Sequence, residues 1–218
     1  MDENILTVVW ALLIAGVIRI FLFEAFAIEG PSMEPTLYNE DRVVVAKYPY
    51  GIRFPFTLDA VVNWGEPEPG EIIIVTSPAD DVDIVKRVIG VPGDTIQVRD
   101  NVVLRNGKPI ATGQSGSCGT DESRMHMDDD CQWQEEQVGE HTYRVSHGEY
   151  WEGPDYGPET IPPNHVFVMG DHRDRSNDSR FFGVVPVSRI KGKALAVYWS
   201  GGLPWNDVRW SRLGSVLH

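Results

Sequence analysis

From residue 29 onward the apolar residues come in short runs, each cut off by Gly, Pro, Asn or Asp. An amphipathic helix needs apolar residues three to four apart over ten or more positions, and no stretch beyond residue 29 supplies that period. Short runs bounded by turn formers are instead the pattern of β-strands. Arg42–Lys47, Ile72–Thr76, Ile84–Ile89, Thr95–Arg99, Val102–Leu104, Thr142–Val145, Val166–Met169 and Ala194–Trp199 qualify. Between them, Val91-Pro92-Gly93-Asp94 places Pro and Gly at the centre of a type II turn, and Asn106-Gly107 is a hairpin signal. Residues 111–141 break the pattern, being rich in Gly, Ser, Asp, Glu and Gln, and Gly153–Pro163 reads as a proline-rich connector. The expected body is all-β, mainly antiparallel, with a peripheral insertion at about 105–160.

Ahead of that body, Ile5–Phe23 is apolar except for Thr7 and Arg19. About 20 apolar residues cross a bilayer as a helix, and an arginine near one end can snorkel to the headgroups. The expected organisation is a tail at 1–4, one N-terminal transmembrane helix at 5–24 and a β domain at 25–218. Two other readings stay open, a cleavable secretion signal and a buried core helix. Ala25-Phe26-Ala27 has the small residues a cleavage site requires, while the acidic start Met1-Asp2-Glu3-Asn4 and Arg19 speak against a signal. No Lys or Arg precedes the segment, so charge does not orient it in a membrane.

The net charge of −13, from 32 acidic and 19 basic residues, argues against a nucleic-acid partner, which would require a basic face. Cys118 and Cys131 lie in a polar stretch and form either one disulfide, in an oxidising compartment, or two free thiols. No second Cys or His pair stands at ligand spacing, so no metal is expected, and Met125-His126-Met127 with the aspartates after it reads as a solvated loop.

Three clusters carry groups capable of chemistry. Pro31 and Pro35 stiffen the backbone around Ser32 in Gly30-Pro31-Ser32-Met33-Glu34-Pro35-Thr36, and a serine nucleophile needs a base beside it. Among the histidines only His172 falls in a candidate cluster. A lysine serves as base once desolvation lowers its pKa. Strand alternation puts Lys86 on one face with Ile84 and Val88, and Arg87 on the other with Val85 and Ile89. The third cluster, Gly170–Arg180, is a loop of mixed charge leaving the run Val166–Met169, with Asp178 and Arg180 as a candidate ion pair. Each has a plain structural reading as well: a turn serine, a cation on a solvent-facing edge, a solvated turn.

Taken together the clusters resemble the bacterial type I signal peptidase (leader peptidase) family. The resemblance covers the N-terminal apolar segment, residues 30–37, Asp41–Lys47, residues 86–94, residues 170–180 and Arg189–Tyr198. It implies a membrane-bound serine endopeptidase of signal-peptidase-like β fold, without cofactor. Such an enzyme cleaves signal peptides from exported preproteins after small residues (Ala-x-Ala) with a Ser/Lys dyad. By resemblance Ser32 is the nucleophile and its backbone N–H an oxyanion donor. Lys86 is the general base, Ser176 orients the lysine amine, and Asp178 and Arg180 support the loop. Gly30 stands where some members carry a serine donor, and His172 and Arg175 stand where Asn is common. Phe26, Ile28, Met33 and Val85 are the expected pocket residues, with the substrate adding a strand beside the Lys86 strand. The aromatics of Tyr48–Phe56, with Trp205 and Trp210, are expected at the membrane surface. The implied partners are preproteins and membrane lipid, with no nucleic acid, and the implied form is a monomer. Its place is the cytoplasmic (inner) membrane, single-pass, with the catalytic domain on the extracytoplasmic side. Two alternatives share the fold, a specialised peptidase for conjugation or pilus precursors and an inactive membrane-tethered binding module. A self-cleaving repressor of the SOS type would carry a DNA-binding domain in place of the anchor.

Overall fold

The computed structural model describes residues 3–17, 21–52, 62–118, 131–148, 153–202 and 207–217. In chain order the first elements are α1 (Glu3–Val17), β1 (Phe23–Ala27), β2 (Asp41–Ala46), β3 (Gly51–Ile52), β4 (Val62–Asn63), β5 (Ile72–Thr76) and β6 (Asp83–Gly90). Next come β7 (Thr95–Arg99), β8 (Val102–Arg105), β9 (Lys108–Pro109), β10 (Ala111–Ser117), β11 (Gln132–Val138) and β12 (His141–His147). The last are β13 (Tyr156–Thr160), β14 (His165–Met169), α2 (Ser179–Phe182), β15 (Val185–Pro186) and β16 (Ile190–Ser200). The main sheet has the order β1-β2-β16-β5-β6-β14-β15. Beside it lie a four-stranded sheet β13-β7-β8-β9, a three-stranded sheet β10-β11-β12 and the small hairpin β3-β4. The strand pairs are antiparallel, as expected of the β body.

The apolar runs end up in strands because both faces of the main sheet are covered. In β5, Ile72 and Ile74 join Ile28, Met33 and Val85 in one core, while Ile73 and Val75 join Val88, Val166 and Val168 in another. A strand buried on both faces reads as an unbroken apolar run, as Ile72–Val75 does. The turn signals fold as their residues demand. Gly93 takes φ +88 and Asp94 N–H bonds the Val91 carbonyl, as in a type II turn. Asn106 and Gly107 both take positive φ between β8 and β9, the two-residue hairpin geometry.

The expected transmembrane helix at 5–24 requires correction. The described part of α1, Glu3–Val17, has 15 residues and spans about 22 Å at 1.5 Å per residue, short of the ~30 Å hydrocarbon core. Among the described residues no helix is long and apolar enough to cross a membrane. Phe23 and Glu24 belong instead to β1, paired with Ala46 and Val45 of β2, and this pairing withdraws the end of the apolar run from any helix. A buried core helix is not found either, because Trp10, Leu12 and Leu13 of α1 are largely exposed. Arg19 lies outside the described residues.

The short strands β3, β4, β9 and β15 went unforeseen, as did the longer β10, β11 and β13. β13 contains Pro158, which is tolerated because β13 is an edge strand and its missing N–H costs the ladder nothing there. β10 and β11 come from the polar segment and, with β12, form a sheet whose inner side chains Val138, Tyr143 and Val145 pack against Phe167 and Met169. Cys118 and Cys131 are disulfide-bonded, joining the end of β10 to the start of β11. Met125, His126 and Met127 lie outside the described residues.

Candidate active site

Ser32 lies in the turn that follows β1. Glu34 N–H bonds the Pro31 carbonyl and Leu37 N–H the Met33 carbonyl, while Met33 and Leu37 anchor the turn in the core beneath. Gly30 sets the approach with φ +81, a conformation that strains any residue carrying a Cβ, and its N–H is held by Asn39 Oδ1 at 2.9 Å. A serine at this position would carry that strain.

β6 delivers Lys86 from the other side. Its Nζ lies 2.8 Å from Ser32 Oγ and 2.9 Å from the Val85 carbonyl. The residue is 3% exposed, and burial lowers its pKa to about 8 against the opposing pull of the Asp178 and Asp171 carboxylates. A neutral amine so placed donates to the Val85 carbonyl and accepts from the serine hydroxyl. An amine in this position is within reach of the serine proton, the arrangement that general-base activation of a hydroxyl requires.

Ser176, expected beside the amine, makes no hydrogen bond with Lys86. Its Oγ is turned onto Gly170, where a Cβ would come within 2.3 Å of it and within 2.4 Å of the Ser32 carbonyl. The Val85 carbonyl holds the amine instead. Gly170 is therefore required for close approach, a role with no signature in the sequence. Asp178 caps α2 and accepts from Gly170 N–H and from the Arg180 guanidinium. Burial acts to raise its pKa, but Arg180 and these hydrogen bonds hold it below the usual carboxylate value. His172 N–H bonds the Ser32 carbonyl at 3.1 Å, while its ring lies between Glu34 (3.9 Å) and Asp174 (3.4 Å). Arg175 N–H bonds the His172 carbonyl.

The pair Arg87–Asp171 has no signature in the sequence. Arg87, adjacent to Lys86, points to the opposite side and grips Asp171 through Nε (2.9 Å) and Nη2 (2.8 Å), and Thr36 donates to the same carboxylate. Asp171 thus ties β6, the Ser32 turn and the Gly170–Arg180 loop together. Glu34 was missed too: it is buried, and burial lifts its pKa to about 7 despite Arg175, Arg209 and Arg212, with Asp41 adding to the rise.

Beside the pair is a cleft of about 290 Å³ lined by Phe26, Ala27, Ile28, Ile84, Val85, Ser32 and Lys86 among others. Of the expected pocket residues Phe26, Ile28 and Val85 line it, whereas Met33 is fully buried in the core. Of the aromatics assigned to a membrane surface, Tyr48 and Trp210 are exposed, Tyr50 is instead buried with its hydroxyl bonded to Glu71, and Phe54, Phe56 and Trp205 lie outside the described residues.

The family model for signal peptidase, peptidase S26, matches residues 1–199. The chain belongs to that family. The signal peptidase I of Pseudomonas aeruginosa is 36% identical to it over 221 residues, covering 93% of this chain and 72% of the relative. That of Pseudomonas fluorescens is 35% identical over 216 residues with the same coverage. That of Bacillus licheniformis is 32% identical over 208 residues, covering 95% of this chain and 91% of the relative. This member of the signal peptidase family is thus a peptidase, and its substrates are preproteins bearing signal peptides.

Proposed function

We propose that this signal peptidase cuts preproteins with Ser32 as nucleophile and Lys86 as general base. The observation that carries the reading is the 2.8 Å contact between the Ser32 hydroxyl and a buried amine whose pKa is already lowered. Ser32 Oγ attacks the scissile carbonyl and Lys86 takes its proton, then returns it to the leaving amine. The Ser32 backbone N–H serves the developing oxyanion, with no side-chain donor from Gly30. The Val85 carbonyl aims the amine, and Ser176, Asp178 and Arg180 fix the loop behind it.

The substrate enters as an extended strand between β1 and residues 83–86 of β6. Among the described residues β1 is paired on one side only, by β2, and β14 pairs with β6 from Arg87 onward, so both edges facing the cleft offer backbone groups. Alternate side chains of a strand point the same way, which brings the first and third residues before the cut to the apolar wall of Phe26, Ile28 and Val85. A cleft of this size suits alanine at both places, hence Ala-x-Ala.

The enzyme works at a membrane, on the extracytoplasmic side. α1 exposes apolar side chains around its circumference, Ile5, Leu6, Val9, Trp10 and Leu13 among them, and such a helix calls for an apolar phase. The Cys118–Cys131 disulfide fits an oxidising compartment.

The test is cleavage of a preprotein carrying an Ala-x-Ala site. Ser32→Ala and Lys86→Ala each lower the turnover by at least about 10³-fold while leaving the fold intact. Near-normal cleavage by either variant would sink the assignment.

A further inference from the structure

Among the described residues, the segment between β9 and β14 makes no hydrogen bond to Ser32 or Lys86 side chains, yet it places one carboxylate in the interior. Glu136 of β11 is 1% exposed and occupies an inward position of that strand, two residues before the core residue Val138. Strand alternation calls for an apolar residue there, and a buried carboxylate requires partners. Glu136 has them. Arg173 donates to both of its oxygens at 2.7 and 2.5 Å, and the Tyr143 hydroxyl of β12 donates at 3.0 Å.

Arg173 passes this grip onward. Its own burial is complete to within 1%, its Nε donates to the Gly170 carbonyl, its N–H bonds the Ser146 carbonyl of β12, and its carbonyl accepts from Arg180. Gly170 is packed directly on Ser176 and the Ser32 carbonyl, and the neighbouring His172 N–H bonds that same carbonyl. A second hold runs in parallel. The Tyr143 ring lies 3.9 Å from the Arg87 guanidinium, Arg87 clasps Asp171, and Ser146 of β12 accepts from nothing less than the loop itself while donating its hydroxyl to the Glu34 carbonyl. Arg87, Arg173 and Arg180 are balanced by Asp171, Asp178 and Glu136, and Glu136 is the one member of that set supplied by β11.

We propose that Glu136 is a positioning residue for the Ser32–Lys86 pair, and that the sheet β10–β12 acts as a clamp holding the Gly170–Arg180 loop against Ser32. The inference rests on the reading of Ser32 and Lys86 given above. Without the Glu136 charge, Arg173 turns to Asp171, the other carboxylate of the set that acts on it. That move loosens Gly170 from Ser32 and draws a carboxylate away from Lys86.

The experiment measures kcat, KM and the pH profile of the full chain carrying Glu136→Gln, Glu136→Asp or Tyr143→Phe, with active enzyme counted by a serine-acylating probe. Glu136→Gln should lower kcat per active site about 10- to 100-fold with KM within about twofold, and move the acid limb to lower pH. Glu136→Asp should recover part of the loss, and Tyr143→Phe should cost a few-fold. A Glu136→Gln enzyme that is less heat-stable but has wild-type kcat and acid limb per active site would overturn the inference. If that variant does not fold, wild-type kcat in both Glu136→Asp and Tyr143→Phe overturns it equally. Ser32→Ala and Lys86→Ala run alongside. Dead in both with a normal Glu136→Gln removes the clamp alone, whereas activity in either removes the reading beneath it.

Discussion

Lys86 and Arg87 are consecutive cations on β6, both almost wholly removed from water, and they come to opposite electrostatic states. Lys86 faces the Ser32 side, where its hydrogen-bond partners are a hydroxyl and a carbonyl, and burial lowers its pKa. Arg87 faces the loop side, where burial works against its charge too, but the clasped Asp171 carboxylate prevails and raises its pKa. Asp178 and Asp171 do act on Lys86, but from beyond direct hydrogen bonding, and they only partly offset the loss of water. Desolvation alone therefore decides little. A buried cation becomes a base where no carboxylate touches it, and a fixed strut where one does.

The largest test of this contrast is to strand the strut. Asp171→Asn leaves the Arg87 guanidinium buried without the carboxylate that clasps it and should cost about 3–5 kcal/mol of stability, read from the urea midpoint. The double change Arg87→Met with Asp171→Leu strands neither charge and should cost much less. Equal losses in the two would mean that packing, rather than charge pairing, holds the loop.

On the Ser32 side the same contrast appears as a pH dependence. A lysine is a base only when neutral, so under the proposed mechanism the rate should climb with pH through about 8, the lowered pKa of Lys86. Between pH 8 and pH 6 the neutral fraction falls about 50-fold, and kcat/KM should follow it. An acid limb centred near the ordinary histidine or carboxylate range would assign the proton acceptor to another group.

How far this arrangement was legible in the sequence differs from residue to residue. Lys86 was, because Ile84 and Val88 flank it on one strand face and announce a dry setting. Ser32 was a turn serine until the other clusters accompanied it. The boundary between α1 and β1 was not legible. Phe23 is equally apolar whether it ends a helix or opens an edge strand, and only pairing with β2 decides. β11 was hidden because Glu136 fills an inward position with a charge, and the partner that makes this tolerable, Arg173, is 37 residues away. Asp171 and Gly170 were visible as members of a polar loop, but not as the partner of Arg87 and the contact surface of Ser32. The strands with unbroken or alternating apolar runs, β2, β5, β6, β7, β8, β12, β14 and β16, could be read from local pattern. The buried ion pairs depend on which strands meet, and no local pattern records that.

Glu34 is the case between the two cations: a buried acid two residues after Ser32, without a close cationic clasp, lifted by burial to a pKa of about 7. Its sign is opposite to that of Asp178. A carboxyl that holds its proton more tightly in the folded than in the unfolded chain stabilises the fold fully below about pH 4.5. That contribution is lost as pH rises through 7. At pH 8 the folded protein therefore carries a buried carboxylate that water would have stabilised better. Glu34→Gln keeps the shape and removes the charge, so at pH 8 it should raise stability by about 2 kcal/mol. At pH 4.5, where the folded wild type holds a neutral acid at the same place, the gain should vanish. Thermal melts of both proteins across that range check it. A gain that is the same at both pH values would mean that ionisation of Glu34 is not what the substitution relieves. The charge would then have found, in the surrounding Arg175, Arg209 and Arg212, the kind of partner that distinguishes Arg87 from Lys86.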